Sequence, residues 1–165
     1  MLEQMLAEFR EEAATTLRVL ERVPEEKLTW KPHEKSMSLG QLSLHIATIP
    51  ANVVNLAQLP EFDASQANFN PPQPTGLDEI LTALEVSMKT AEDYLGNVDE
   101  QTAAETWRLT AGGKEVFAIP RAGVLRSIML NHWYHHRGQL SVYLRLLDVA
   151  VPVIYGRSAD ETPFA

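Results

Sequence analysis

Four stretches of the chain carry a stripe of mostly apolar residues at steps of three and four. In the first, Leu2, Met5, Leu6, Phe9, Ala13, Thr16, Leu17 and Leu20 are separated by Glu3, Glu8, Arg10, Glu11, Glu12 and Arg18. This predicts an amphipathic helix of about six turns, ended by Pro24. Residues 24–37 have no periodicity and read as a loop, with Trp30 plugging the end of the core. Ser38 and Gln41 have the spacing of a capping box. Leu42, His45, Ile46, Ile49, Val53 and Leu56 then follow at helical spacing, with Pro50 expected to kink or divide the second helix. Residues 60–76 hold four prolines and read as a long surface connection, a crossover or a lid. Leu77, Ile80, Leu81, Leu84, Met88, Ala91 and Leu95 mark a third helix, with Thr75 and Asp78 as its cap and Gly96 as its end.

The rhythm changes over residues 97–119. Trp107–Thr110 and Glu115–Ile119 flank Gly112-Gly113, which predicts a β-hairpin leaning on the helices. Pro120 opens the last helix. Within it Leu125, Ile128, His132, His136, Leu140, Tyr143, Leu144 and Leu147 share one face, and residues 121–147 would form a rod of about 40 Å. Pro152 stops it, and the irregular tail is expected to fold back on the helices. The expected architecture is all-α, a four-helix bundle with a small β-hairpin before the last helix, in a single domain over residues 1–165.

Composition narrows the function classes. The 165 residues are 45% hydrophobic and carry a net charge of −8, from 22 acidic and 14 basic side chains. That charge argues against a nucleic-acid surface, which needs a basic stripe. No apolar run nears the ~20 residues that span a bilayer. The N-terminus begins an amphipathic pattern rather than a secretory signal, so the expected location is cytoplasmic. There are no cysteines, so disulfides and thiolate metal ligands are excluded, and any thiol chemistry must use a thiol carried in on a small molecule.

Three of the five histidines lie in Asn131-His132-Trp133-Tyr134-His135-His136-Arg137-Gly138-Gln139-Leu140. On a helix, His132 and His136 stack one turn apart and can share a divalent cation. His45 lies on the apolar stripe of the second helix. Three imidazoles on core-facing stripes bring six ring nitrogens that burial would penalise, and a shared metal answers that problem. Such a site has no fourth protein ligand, which leaves room for water or substrate. Gln41 and Gln139 are candidates to hydrogen-bond the ligands from behind; polar residues at a pocket edge would look the same. His135 points roughly 100° away from His136 and is expected on the flank, against another helix or subunit. Loop His33 is expected to be solvated. Arg137 faces away from the histidine line and suits a structural ion pair.

The stretch from His132 through Arg137-Gly138-Gln139-Leu140 to Tyr143-Leu144-Arg145 resembles the C-terminal signature of the DinB-like superfamily. Leu39-Gly40-Gln41-Leu42 with His45-Ile46-Ala47, and the tail from Val151-Pro152 through Tyr155-Gly156-Arg157-Ser158-Ala159-Asp160-Glu161, resemble it too. The resemblance implies a four-helix bundle, often a homodimer, with a three-histidine divalent metal site whose ligands map to His45, His132 and His136. Relatives of this kind include metal-dependent thiol S-transferases and mycothiol-dependent isomerases.

The expected function is therefore a metal-dependent enzyme, with zinc or nickel, that activates a low-molecular-weight thiol against a small-molecule substrate. A hydrolase using metal-bound water and a non-catalytic metal-binding stress-response scaffold are the alternatives. No carboxylate falls in register with the histidines, so no general base is assigned.

Overall fold

A computed structural model describes residues 1–68 and 70–163. The domain expected over residues 1–165 also includes Phe69, Phe164 and Ala165, which lie outside the described residues. The fold is mostly helical with one small sheet. Helix α1 spans Leu2–Leu20, α2 Leu39–Ala57 and α3 Leu77–Asn97. A short α4 covers Glu100–Ala104. The last rod begins as α5 (Arg121–Val124), passes through a π-helical stretch at Leu125–Asn131, and continues as α6 (His132–Leu146). Helix α2 packs against α3 and α6, and α1 packs against the same two. The main core lies between them, with Phe9, Leu20, Leu42, Ile46, Leu84, Met129 and Trp133 almost without solvent contact.

Local chemistry sets the start of α2. The Gln41 backbone N–H donates to Ser38 Oγ at 3.1 Å, and the Ser38 N–H donates to Gln41 Oε1 at 3.0 Å, which completes the capping box. Gly40 sits where a Cβ would come within 2.7 Å of Gln73 Nε2 and 3.0 Å of the Leu28 carbonyl. Only glycine lets the 73–74 segment lie this close to α2. Pro50 does not divide the helix, which runs unbroken to Ala57.

Three expectations need correction. The connection over residues 60–76 contains a strand, β1 (Glu61–Asp63), which pairs in parallel with β2 (Thr106–Ala111). The hairpin of β2 and β3 (Lys114–Pro120), turning at Gly112 and Gly113 with positive φ, is thus part of a three-stranded sheet. Edge pairing gives the exposed backbone of β2 its partners, which a two-stranded ribbon would leave to water. The cap of α3 is not Thr75 with Asp78. Gly76 occupies the N-cap position, the Leu77 N–H donates to Glu25 Oε2 at 2.8 Å, and the helix passes Gly96 to Asn97. Third, the last helix is not one α-helical ladder. The π-helical stretch shifts its face, and the deepest residues of α6 become Trp133, Arg137, Leu140 and Leu144. His132 and His136 lie beside that line, half-buried.

The sheet closes the far end of α2. Trp107 Nε1 donates to the Leu56 carbonyl at 3.0 Å, and Arg121 donates to the carbonyls of Ala57 and Leu59. These bonds satisfy acceptors that a helix C-terminus leaves open. Leu56 lies roughly 16 Å along the axis from His45, so the sheet takes no part in the histidine cluster.

Arg137 is 1% exposed. It forms an ion pair with Glu12 of α1 and donates to the Glu12 carbonyl and to Thr16 Oγ1, each at 3.1 Å. It also donates to Tyr155 Oη at 2.5 Å, and the Tyr134 and Tyr155 rings lie over its guanidinium at 5.3 and 5.2 Å. The tail therefore folds back as expected, held further by Arg145–Asp160 and Arg22–Glu161 pairs. Removing a partner from a buried pair leaves a stranded charge, which costs about 3–5 kcal/mol. Arg137→Met should lower unfolding stability by that order in urea denaturation. A change within about 0.5 kcal/mol would mean that the pair carries no structural weight.

Candidate metal centre

Two consecutive residues on α2 meet two consecutive residues on α6. His45 meets His132, and Ile46 meets Trp133. His45 Nε2 stands 3.5 Å from His132 Nε2, and His132 Nε2 stands 2.7 Å from His136 Nε2. The ring centroids are 5.2 Å apart for His45 and His132, 4.6 Å for His45 and His136, and 4.5 Å for His132 and His136. One nitrogen from each ring falls within 4.8 Å of the others, a grouping that could hold one metal ion. Tetrahedral zinc with Zn–N bonds of 2.0–2.1 Å would set its nitrogens about 3.3 Å apart, so small ring movements bring the three into range.

Gln139 fixes the tautomer of His136. His136 Nδ1 donates to Gln139 Oε1 at 2.7 Å. The Ile128 backbone, in the π-helical stretch just before His132, raises its imidazole against the lowering by burial. There the His132 backbone N–H turns to the Met129 carbonyl. A neutral imidazole carries one proton. The His132 and His136 Nε2 atoms approach to 2.7 Å. With protons on the outer nitrogens both would present lone pairs there, which repel, and a cation between them would remove that conflict.

Burial keeps the rings neutral. It pushes the His45 imidazole down to about 4, helped by the neighbouring His136 and His132. Burial likewise brings His136 down to about 4 against the opposing hydrogen bond from Gln139, and lowers His132. Near neutral pH all three are therefore in the form that binds metal.

The other predicted residues divide. Gln139 reaches His136 directly. Gln41 lies one turn before His45, but its amide is committed to the Ser38 N–H and to the Pro71 carbonyl at 3.0 Å. Among the described residues it makes no hydrogen bond to the cluster. His135 is exposed, with its ring 4.9 Å from that of His136. His33 is exposed in its loop and accepts from the Lys35 N–H. Two contributors escape a reading of charged and metal-binding residue types: the Ile128 backbone, placed by the π-helical stretch, and the Trp133 indole. The proline at residue 50 is the one sequence signal that could have pointed to Trp133, because it leaves the carbonyl four residues earlier without its helical donor.

The depressed values set a sign for acid stability. Unfolded histidines take up protons near 6.5, whereas His45 and His136 resist until about 4. The unfolded chain therefore binds more protons between these values. Metal-free protein should hold its full histidine-linked stability above about 6.5 and lose it as pH falls through about 4. Ring-proton NMR should place the His45 and His136 transitions near 4. Midpoints near the free-histidine value would show that the rings are solvated.

Comparison with known proteins agrees over nearly the full length. The family model described as the DinB family matches residues 1–163. The Bacillus subtilis (strain 168) proteins YjoA and YrdA are 27% identical over 145 residues and 25% identical over 161 residues. These alignments cover 86% of this chain and 88% of YjoA, and 97% of this chain and 91% of YrdA. The crystal structure of a DinB-like protein from Bacillus cereus ATCC 10987 superposes with a TM-score of 0.71 at 22% identity, covering 93% of this chain and 97% of that one. With the fold, the length and the family model in agreement, the chain belongs to the DinB family.

Proposed function

We propose that this chain is a four-helix-bundle metalloenzyme that holds one divalent cation, zinc or nickel, on the Nε2 atoms of His45, His132 and His136. We propose further that it uses the cation to activate a low-molecular-weight thiol. The observation that carries the reading is the convergence of one nitrogen from each of three imidazoles, with the His132 and His136 Nε2 atoms 2.7 Å apart. The packing of α1 and α2 each against α3 and α6 supports the bundle.

A bound divalent cation supplies the Lewis acidity that lowers the pKa of a coordinated thiol or water. The protein's share is positional. His132 and His136 present their nitrogens from successive turns of α6, and His45 presents its nitrogen from α2. Gln139 holds the His136 proton on Nδ1 and so keeps Nε2 free to coordinate. Among the described residues the cluster has three histidines and no fourth ligand, which supports an open position for a substrate. The chain has no cysteine, so no protein thiol competes for that position.

Protein purified without added metal should carry close to one divalent ion per chain by elemental mass spectrometry. His132→Ala should lose it, and Gln139→Ala should bind it about tenfold more weakly. Thiol consumption with an electrophilic acceptor such as a chlorinated arene should then depend on the metal. Full metal affinity in His45→Ala would rule out the three-ligand arrangement. Metal-loaded protein inactive with every small thiol offered would rule out the thiol reaction.

A further inference from the structure

Pro50 leaves a gap in the hydrogen-bond ladder of α2, and the structure fills it from another helix. Residue 50 has no N–H for the Ile46 carbonyl four residues earlier. Trp133 Nε1 of α6 donates to that carbonyl at 2.9 Å. Both residues are fully buried. The next donor is also diverted, for the Ala51 N–H bonds Ser87 Oγ of α3 at 2.9 Å. The Trp133 ring is held on its other side by Phe9, stacked at 5.4 Å.

We infer that Trp133 is a positioning residue for the metal centre, a clamp that sets the register of α2 against α6 and so places His45 beside His132 and His136. The inference rests on the metal reading above. Ile46 follows His45, and Trp133 follows His132, so the clamp lies one residue from the point where the ligands of the two helices meet. Any slip of α2 along α6 would stretch the indole bond and part His45 from the pair together. The proline frees the Ile46 carbonyl from the helical ladder and so leaves it open to the indole.

The chemistry suggests a test that separates positioning from stability. Trp133→Phe keeps the ring and removes the N–H, leaving the Ile46 carbonyl without a donor. Adding Pro50→Ala restores a backbone N–H for that carbonyl within α2 but no tie to α6. Wild type, Trp133→Phe, Trp133→Phe/Pro50→Ala and Ser87→Ala would be compared by thermal melts of the metal-free proteins and by zinc titration. Trp133→Phe should melt about 3–6 °C lower and bind zinc about tenfold more weakly. The double variant should regain most of the melting temperature and none of the affinity. Ser87→Ala should melt lower yet keep wild-type affinity, since α3 carries no ligand. Wild-type affinity in the double variant would overturn the clamp and leave Trp133 a core residue only. Should Trp133→Phe fail to fold, the double variant alone decides. A wild-type protein that takes no zinc would overturn the metal reading but not the clamp. The clamp is then read from the nuclear Overhauser contact between the His45 and His132 rings, expected in wild type and absent in the double variant. Its persistence there would overturn the clamp.

Discussion

The contact of α2 with α6 is the constraint on which the site depends. Three histidine rings from these two helices meet within a few ångströms; the spacing within α6 pairs His132 with His136, but nothing in the local sequence of either helix requires that His45 join them. Their meeting depends on the relative height and rotation of two rods. On one side of the cluster the indole of Trp133 bonds the carbonyl freed by Pro50. At the other end of α2, about four turns from Leu42, the Trp107 indole and the Arg121 guanidinium bond its last carbonyls. Helix α2 is thus held by side-chain donors both in mid-helix and at its end. These bonds are directional, unlike the apolar contacts around them, and buried donors and acceptors tolerate little displacement.

The same buried line of α6 is also fixed by charge. Arg137 follows Trp133 by one turn and lies on the α1 side, where Glu12, Thr16 and Tyr155 take its protons. His136 is its neighbour in sequence. The helix that carries two of the three rings is therefore anchored both to α2 and to α1 and the tail. Gln139 then settles which nitrogen of His136 faces inward. The outcome is a set of neutral imidazoles with converging nitrogens, which is the donor chemistry that a divalent cation seeks.

Much of this was legible in the sequence, for identifiable reasons. Helical periodicity exposed α1, α2 and α3 because each buries one stripe. The Ser38–Gln41 spacing located the start of α2, and the i, i+4 spacing of His132 and His136 placed their rings together. Gly112-Gly113 marked its turn because both residues need positive φ. Long-range pairings were harder to see. Strand β1 is three residues long and pairs with a strand more than forty residues away, so no local pattern announces it. The π-helical stretch left Leu125, Ile128, His132 and His136 looking like one stripe, although the buried line runs through Trp133 and Arg137. Gln41 was expected behind a histidine by register alone, yet the capping box that it also signals had already engaged its amide. The Pro50–Trp133 bond joins two features that each had an ordinary local explanation, a kink and a core indole.

The proposed cation lies between the inner nitrogens of His45, His132 and His136. Anomalous diffraction, from crystals grown without added metal and measured across the zinc and nickel absorption edges, tests it directly. One peak is expected within about 2.0–2.2 Å of all three Nε2 atoms, with Nδ1 of His136 still bonded to Gln139. Absence of a peak even after divalent ions are soaked in, with the rings joined through a proton on one Nε2, would contradict it.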